Sequence, residues 1–220
     1  MARLAVANGI THAVMTPHIH PGRYDNDRQY IAAVWRKFRA AIKSERIPLE
    51  IGMAAEVRVS AEVIPMIADE QIPFLGEWQG ERVLLLEFPH SHILPGSDKL
   101  IDHLLKRNIR SMIAHPERNK DVMRSLDKLR PLVEAGCLLQ VTAGSVAGEF
   151  GLATRERAYQ MLTNGWVTLL ASDAHDIDSR PPDLESGRRA AAGVVGEAES
   201  WRLVRDMPAA LAAMHFGEHN

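Results

Sequence analysis

Short apolar runs separated by polar turns divide the chain into alternating strands and helices. The β-forming runs are residues 10–16, 48–55, 83–86, 109–114, 137–142 and 166–170. Between them the apolar residues follow helical spacing, as Ile31, Trp35, Phe38 and Ile42 do. Strand–helix alternation of this kind predicts an α/β fold with a parallel sheet or barrel.

Five of the six runs lead into residues that can bind a metal. Ligands at the carboxyl ends of neighbouring parallel strands meet at one edge, where α/β barrels carry their chemistry. Two of these residues, Asp173 and His175, are separated by one position, so an extended backbone would point both side chains the same way. The predicted ligands are His18, Glu56, Glu87, His115, Asp173 and His175.

The predicted ligand set indicates a multinuclear centre. Six oxygen and nitrogen donors exceed the four ligands of a structural zinc site, and none of them is a thiolate. Manganese suits this mixture, and iron or zinc is possible. A centre of this kind makes hydroxide from water at neutral pH and can clamp the attacking and leaving oxygens at phosphorus.

Two arginines lie three to five residues beyond predicted ligands. Arg118 and Arg180 could each hold a phosphate through a bidentate guanidinium, or each could form a structural ion pair. Three further residues in the loop after the first strand are candidates for a lid or for support behind the ligands. These are His20, Arg23 and Tyr24.

Composition places the chain among globular proteins and excludes several functions. With 220 residues, 46% of them hydrophobic and 25% charged, residues 1–220 are expected to form one domain. A net charge of −2 gives no electrostatic reason for a nucleic-acid partner. No apolar run is long enough to span a membrane, and no signal sequence is evident, so a cytoplasmic location is expected.

The single cysteine argues against a disulfide and against thiol chemistry. One cysteine forms no internal disulfide, which fits a reducing compartment. A thiol-dependent tyrosine phosphatase needs an arginine six positions after its cysteine, whereas Ala143 follows Cys137 at that spacing. A buried, unreactive role is therefore predicted for Cys137.

Several motifs together resemble the PHP superfamily. Within it, the similarity is to the bacterial manganese-dependent protein-tyrosine phosphatases of capsule and exopolysaccharide synthesis, the CpsB/YwqE type, over residues 1 to about 215. The motifs that carry the resemblance are Thr16-Pro17-His18, Ala55-Glu56, Leu86-Glu87-Phe88, Ile113-Ala114-His115-Pro116-Glu117-Arg118, Ser172-Asp173-Ala174-His175 and Asp178-Ser179-Arg180-Pro181-Pro182.

The resemblance implies a distorted (β/α)₇ barrel of the TIM-like PHP type with a trinuclear metal site. It implies metal binding by the six predicted ligands and phosphate contacts by Arg118 and Arg180. The implied reaction is hydrolysis of phosphotyrosine on a bacterial tyrosine autokinase by metal-activated hydroxide. Two alternatives stay open: another PHP phosphoesterase acting on histidinol phosphate or a nucleotide, and a non-catalytic remnant of the family.

The chain departs from the family pattern at its beginning. The family opens with a strand carrying His-x-His and then an acidic loop residue, before the helix that starts here at Met1. The expectation is therefore a domain without its first barrel strand and with an incomplete ligand set. A start codon placed too far downstream, a trimmed chain and a natural remnant would each account for this departure.

Overall fold

Strands that run mostly parallel form the centre of the molecule. The computed structural model describes residues 1–217, and within them the strands are β1 (His12–Met15), β2 (His18–Ile19), β3 (Glu50–Met53), β4 (Glu56–Arg58), β5 (Gly76–Trp78), β6 (Glu81–Glu87), β7 (Ile109–Ala114), β8 (Leu138–Thr142) and β9 (Leu169–Ala171). The larger sheet has the spatial order β2-β4-β6-β7-β8-β9, and all of these neighbours are parallel. Strand β5 pairs antiparallel with β6, and β1 pairs with β3 in a separate two-stranded sheet.

Helices connect most of the strands and pack against the sheet. They are α1 (Ala2–Ala7), α2 (Arg28–Ser44), α3 (Val63–Ala68), α4 (Ser97–Leu105), α5 (Lys120–Arg124), α6 (Arg130–Glu134), α7 (Ala143–Ala147), α8 (Leu152–Thr163), α9 (Glu185–Val195), α10 (Glu197–Trp201) and α11 (Met207–Ala212). The longest, α2, begins after Asp27, whose side chain accepts a hydrogen bond from the N–H of Tyr30. Within residues 1–217, no helix has both the length and the apolar character needed to cross a membrane.

The central strands are buried on both faces, which explains their continuous apolar runs. On β6, Val83 and Leu85 belong to one apolar cluster, whereas Leu84 and Leu86 belong to another. Successive strand side chains point to opposite faces, so the two clusters lie on opposite sides of the sheet. Leu211 of α11 packs into the smaller cluster. A parallel sheet covered on both faces carries apolar runs of this kind, and the predicted α/β class is confirmed.

The first two predicted strands are each interrupted by a bend. Strand β1 pairs with β3, and beyond the bend β2 pairs with β4 in the same register. Pro17 lies at the bend of the first strand and has no N–H to offer to the sheet ladder. The sequence pattern had placed His18 and Glu56 at the ends of strands. Each instead begins a short strand, β2 or β4.

The sheet does not close on itself within residues 1–217. Strand β1 pairs only with β3 and β9 only with β8, so one edge of each is unpaired. A cavity of about 780 Å³ lies between them, lined mostly by apolar side chains of β1, α2, β9 and α11. The result is a barrel-like arrangement that is open on one side.

The elements that were not predicted from the sequence include one helix and one hairpin. One is helix α7, and the other is the hairpin of β5 and β6. The hairpin turns at Gln79 and Gly80, whose φ angles are 54° and 82°, the left-handed pair of a two-residue hairpin. Glutamine is an unusual residue for this conformation, so the turn gave little signal. One domain over residues 1–220 stays a prediction, since residues 218–220 lie outside the described part.

Candidate metal centre

Four of the predicted ligands converge where β2, β4, β6 and β7 lie side by side. His115 Nε2 lies 3.0 Å from Oε1 of Glu56 and 3.9 Å from Oε1 of Glu87. His18 Nδ1 lies 3.6 Å from the same oxygen of Glu56. Glu56, whose side chain is only 5% exposed, contacts both histidines, and His115 in turn links it to Glu87.

The sheet brings these side chains together because their strands are neighbours. His18 on β2 is directly opposite Glu56 on β4, and β4 pairs in turn with β6, which ends at Glu87. His115 follows the last residue of β7 and has a φ of 34°. A left-handed backbone at a non-glycine residue costs on the order of 1–3 kcal/mol, and such residues cluster at functional sites. The surrounding structure therefore holds His115 in a conformation that it would not adopt alone.

Asp173 and His175 approach this cluster from the loop after β9, but not in the predicted extended conformation. Asp173 has a φ of 50°, so the alternation of side chains in a strand does not apply. His175 Nδ1 lies 2.9 Å from the backbone oxygen of Asp173 and 3.8 Å from its Oδ1. The ring centroids of His175 and His18 are 6.1 Å apart. All six predicted ligands thus lie at one edge of the sheet, although the geometric reason given for the last pair was wrong.

The two predicted phosphate-binding arginines meet at Asp173. The Nη2 groups of Arg118 and Arg180 both donate to Oδ2 of this aspartate. The side chain of Asp173 is 8% exposed, and those of Arg118 and Arg180 are 14% and 27% exposed. The structure therefore contains the ion pairs that were the alternative to phosphate binding. It also concentrates two guanidinium groups beside the predicted ligands, which makes this edge suitable for an anion.

Charges at the site shift two pKa values in opposite directions. Burial of Asp173 disfavours its ionised form, but the charges of Arg118, His115 and Arg180 outweigh burial and hold its pKa below the usual value. Burial of His115 disfavours its cation, but the hydrogen bond and negative charge of Glu56 outweigh burial and raise its pKa. Asp173 is thus an anion at neutral pH, as metal binding and arginine pairing both require.

The donor atoms suit a divalent cation. Donors that each lie about 2.0–2.2 Å from one metal are separated from one another by about 3–4 Å. One donor atom from each of His18, Glu56 and Glu87 falls within 4.8 Å of the other two, so small side-chain movements would bring them to this spacing. Carboxylate oxygen and imidazole nitrogen are the donors that manganese, iron and zinc share.

The three candidates for a lid or for support behind the ligands, His20, Arg23 and Tyr24, form a tight turn beside His18. The backbone of His20 pairs with that of Tyr24, and the ring of Tyr24 stacks on that of His18 at 5.4 Å between centroids. The guanidinium carbon of Arg23 lies 5.2 Å from the centroid of Tyr24. Burial together with the charges of Arg58 and Arg23 lowers the pKa of His20. Tyr24 and His18 therefore form one wall of the site, with Arg23 outside it.

An arginine that was not predicted from the sequence pairs with a predicted ligand. Arg58 Nη2 lies 2.9 Å from Oε2 of Glu87, and its Nη1 donates to the backbone oxygen of Phe88. A signal for it was present, because Arg58 stands two positions after Glu56 in the same strand and shares its face.

A second missed residue organises the loop that carries Arg180. Oδ1 of Asp176 accepts hydrogen bonds from the backbone N–H groups of Asp178, Ser179 and Arg180, and Oδ2 accepts one from the hydroxyl of Ser179. These hydrogen bonds hold the pKa of Asp176 far below its usual value, and the bond from the Ser179 side chain has the largest effect. An aspartate that opens a polar loop is a common turn signal. The sequence did not show that this turn would hold the backbone of Arg180.

The cysteine lies away from this cluster and is unreactive by environment. Cys137 is buried, and burial raises the pKa of its thiol to about 12. The predicted burial of the thiol is confirmed, and a pKa this high leaves almost no thiolate at neutral pH, which supports the prediction of an unreactive thiol.

Comparison with known proteins identifies relatives of this chain. The family model described as capsular polysaccharide synthesis, CpsB/CapC, matches residues 1–213. CapC of Staphylococcus aureus is 32% identical over 181 residues, which cover 82% of this chain and 70% of CapC. The tyrosine-protein phosphatase YwqE of Bacillus subtilis is 32% identical over 180 residues, with the same two coverages.

A solved structure confirms the barrel-like fold. It comes from a study of YwqE from Bacillus subtilis and CpsB from Streptococcus pneumoniae, which that study describes as unique metal-dependent tyrosine phosphatases. The TM-score is 0.89 at 28% identity, and the match covers 97% of this chain and 85% of the other. Since the family model spans nearly the whole chain, and relatives of 32% identity match over most of their length, this protein belongs to the CpsB/CapC family.

Proposed function

We propose that this protein hydrolyses phosphotyrosine in protein substrates with the help of bound divalent metal. The observation that carries the proposal is the meeting, at Asp173, of a carboxylate–imidazole cluster and two arginines. A divalent metal needs carboxylate oxygens and imidazole nitrogens, whereas a phosphate needs positively charged N–H donors, and here the two kinds of site are adjacent. The names of YwqE and of the matching solved structure, which describe tyrosine phosphatases, support the same reaction.

Metal binding is assigned to the six predicted ligands, and manganese is the proposed metal. The ligands are His18, Glu56, Glu87, His115, Asp173 and His175. When bound, such an ion supplies Lewis-acid activation of water and neutralises charge on the phosphate oxygens. The donor chemistry also allows iron or zinc, and comparison of the rates with each metal distinguishes them.

The chain's own arginines are assigned to the phosphate. Arg118 and Arg180 lie in loops at the same edge of the sheet. Both guanidinium groups donate to Oδ2 of Asp173. A phosphate oxygen can take the place of that carboxylate oxygen as an acceptor. Two guanidinium groups would orient the phosphate and offset the negative charge that develops as the ester bond breaks.

Ion pairs and hydrogen bonds already hold the neighbouring side chains, which is consistent with this division of roles. Arg58 keeps Glu87 paired, and Glu56 accepts a hydrogen bond from His115. Side chains held by such partners need less reorganisation when a ligand binds, which favours a preformed site. Tyr24, stacked on His18 at the exposed rim, is a surface against which the phenyl ring of a substrate could pack.

The proposed physiological substrate is a bacterial tyrosine autokinase of capsule or exopolysaccharide synthesis, and the proposed location is the cytoplasm. A role in capsule or exopolysaccharide synthesis is supported by the matching family model, which is described as capsular polysaccharide synthesis. A protein substrate also fits the open rim, where Tyr24 and Ile177 are 42% and 58% exposed.

A substrate panel tests the proposal directly. The protein is stripped with a chelator, reloaded with Mn²⁺, Fe²⁺ or Zn²⁺, and assayed with phosphotyrosyl peptide, phosphoseryl peptide, histidinol phosphate and a nucleoside monophosphate. We expect the phosphotyrosyl peptide to have the highest kcat/KM, Mn²⁺ to support the fastest rate, and the chelated protein to be inactive. Faster hydrolysis of histidinol phosphate or the nucleotide would assign another phosphoesterase activity. Metal binding without any hydrolysis would indicate a non-catalytic member.

A further inference from the structure

One aromatic side chain, that of Phe150, contacts both arginines of the site. Phe150 lies in the connection between α7 and α8. The guanidinium carbon of Arg118 is 4.9 Å from the centroid of its ring, and that of Arg180 is 5.9 Å away. Both distances fall within the range of cation–π attraction, about 6 Å. A single ring therefore attracts both predicted phosphate-binding groups.

The connection that carries Phe150 is fixed to the start of α7. The backbone N–H of Glu149 donates to the oxygen of Gly144 at 2.9 Å, and that of Gly151 donates to the oxygen of Gly148 at 3.0 Å. A methyl group at Gly144 would lie 2.3 Å from Oε2 of Glu149 and 3.3 Å from Cε2 of Phe150. The connection thus lies close over Gly144, and a side chain at this position would contact the ring of Phe150.

The arginines need such a partner because of their environment. Within residues 1–217, the Nε atoms of Arg118 and Arg180 are buried and have no hydrogen-bond acceptor. Both Nη2 groups donate to the same oxygen of Asp173, which places two like charges close together. The face of an aromatic ring is electron-rich, so it attracts guanidinium groups and can act as a weak acceptor for N–H.

We propose that Phe150 is a positioning residue whose ring holds the guanidinium groups of Arg118 and Arg180 where they bind phosphate. The inference rests on the proposed function, because it assumes that these two arginines bind the substrate phosphate. Preordering the pair lowers the conformational entropy lost when phosphate binds, since a free arginine side chain samples many rotamers. The position therefore needs an aromatic side chain, and an aliphatic one of similar size does not serve.

Binding of inorganic phosphate tests this inference without relying on turnover. Phosphate is titrated calorimetrically into Mn²⁺-loaded wild type, Phe150→Leu, Phe150→Met and Phe150→Tyr. We expect the Leu and Met variants to bind phosphate about 5- to 30-fold more weakly and the Tyr variant to bind it nearly as well as wild type. Using both Leu and Met preserves the test if one of them fails to fold.

A matched control is available elsewhere in the chain. Phe74 forms a comparable pair with Arg82, whose guanidinium carbon lies 4.3 Å from the ring centroid. Phe74→Leu removes an aromatic–arginine pair that includes no residue of the site, so phosphate binding should remain near wild type. Far-ultraviolet circular dichroism and the melting temperature show whether each variant is folded.

The arginine signals in nuclear magnetic resonance spectra give a second readout. The ring current of Phe150 should shift the Nε–H signals of Arg118 and Arg180, and the Leu variant should lose this shift. Unchanged phosphate affinity in folded Phe150→Leu and Phe150→Met would overturn the inference while leaving the proposed function intact. Failure of the wild type to bind phosphate would instead contradict the proposed function, and the role of Phe150 with it.

Discussion

At the scale of single residues, Asp173 joins the two halves of the site. Its Oδ2 accepts from both arginines, while its Oδ1 lies 3.8 Å from His175 Nδ1. One carboxylate can therefore face a metal on one side and two cations on the other. The positive neighbours keep its pKa low, so protonation does not remove this link until the pH falls well below neutrality.

Substitution of Arg180 by lysine tests whether its guanidinium binds phosphate. Lysine keeps the charge but loses the planar pair of donors, so it should bind a phosphate less well. We expect Arg180→Lys to lower kcat/KM for a phosphotyrosyl peptide by about one to three powers of ten, or about 1.4–4 kcal/mol. Metal content and melting temperature should remain near wild type.

Arg189 provides the control for this substitution. It pairs with Glu185 on α9, and its side chain is 74% exposed. Arg189→Lys should leave kcat/KM unchanged. If Arg180→Lys is equally active, or loses activity only because it unfolds, the ion pair with Asp173 is the whole role of Arg180.

The cysteine offers a test of the proposed chemistry. With a thiol pKa of about 12, native Cys137 should resist iodoacetamide at pH 7–8 and should react only after unfolding. We expect Cys137→Ser to keep most of the phosphatase rate, whereas a chelator removes it. An inactive but folded Cys137→Ser would contradict a metal-dependent mechanism. Mass spectrometry of the alkylated protein provides the independent readout.

Residue types and spacing were sufficient to select the cluster, but not to describe its contacts. The predicted ligands were chosen because each follows an apolar run, a property that can be read from one sequence, and whether they bind a metal stays a prediction. Arg58 and Phe150 depend on which loops fold over the sheet edge, which is a matter of tertiary packing. The conformation of Asp173 was mispredicted because extended spacing was assumed beyond the end of β9, where its φ is 50°.

At the scale of elements, the loop after β9 determines the backbone position from which the Arg180 side chain extends. Asp176 accepts three backbone N–H groups and one hydroxyl, and Pro181 and Pro182 follow the arginine. The prolines restrict the backbone on one side, and the hydrogen-bonded turn restricts it on the other. The position of the guanidinium is therefore determined mainly by the loop.

Removal of the Asp176 carboxylate should separate positioning from metal binding. We expect Asp176→Ala to lower kcat/KM about 10- to 100-fold, because a displacement of about 1 Å at a substrate-binding group is costly. Mn²⁺ content should be unchanged. Asp178→Ala, an exposed change in the same loop, is the control and should retain activity. Equal activity of the two variants would show that the turn does not govern Arg180.

The sequence predicted strand positions better than strand continuity. The apolar runs of β6, β7 and β8 are continuous because both faces of these strands are buried, and a simple apolar count finds them. The bend shared by the first two predicted strands was missed, since it depends on their pairing with each other. Pro17 was the only local indication of it, and a proline also ends many uninterrupted strands.

At the scale of the whole molecule, the site joins segments that are distant along the chain. His18 and His175 are the outermost predicted ligands in sequence. Between them, Glu56 and Glu87 lie on β4 and β6, His115 directly follows β7, and Asp173 lies in the loop after β9. The open side between β1 and β9 leaves part of the sheet without a neighbouring strand within residues 1–217. A metal held by several strands should therefore stabilise the fold appreciably.

Metal should accordingly raise the melting temperature. At a free Mn²⁺ concentration of 100 times its Kd, mass action adds about 2.7 kcal/mol to the free energy of unfolding. For a domain of this size the corresponding rise is about 5–10 °C. Differential scanning calorimetry with and without Mn²⁺ measures it, with Mg²⁺ as the comparison ion. An unchanged melting temperature at saturating Mn²⁺ would indicate that the ion does not bind the folded state.

The most direct test of the account is an equilibrium titration of the chelator-treated protein with Mn²⁺, repeated for Glu87→Ala and for the control Glu77→Ala. Glu87 contributes a donor atom to the cluster, whereas Glu77 is an exposed residue of β5. We predict that wild type and Glu77→Ala bind Mn²⁺ alike, and that Glu87→Ala, though folded, does not bind it. Wild-type protein that takes up no Mn²⁺, or a Glu87→Ala variant that binds it as tightly as wild type, would contradict a metal centre at this edge of the sheet.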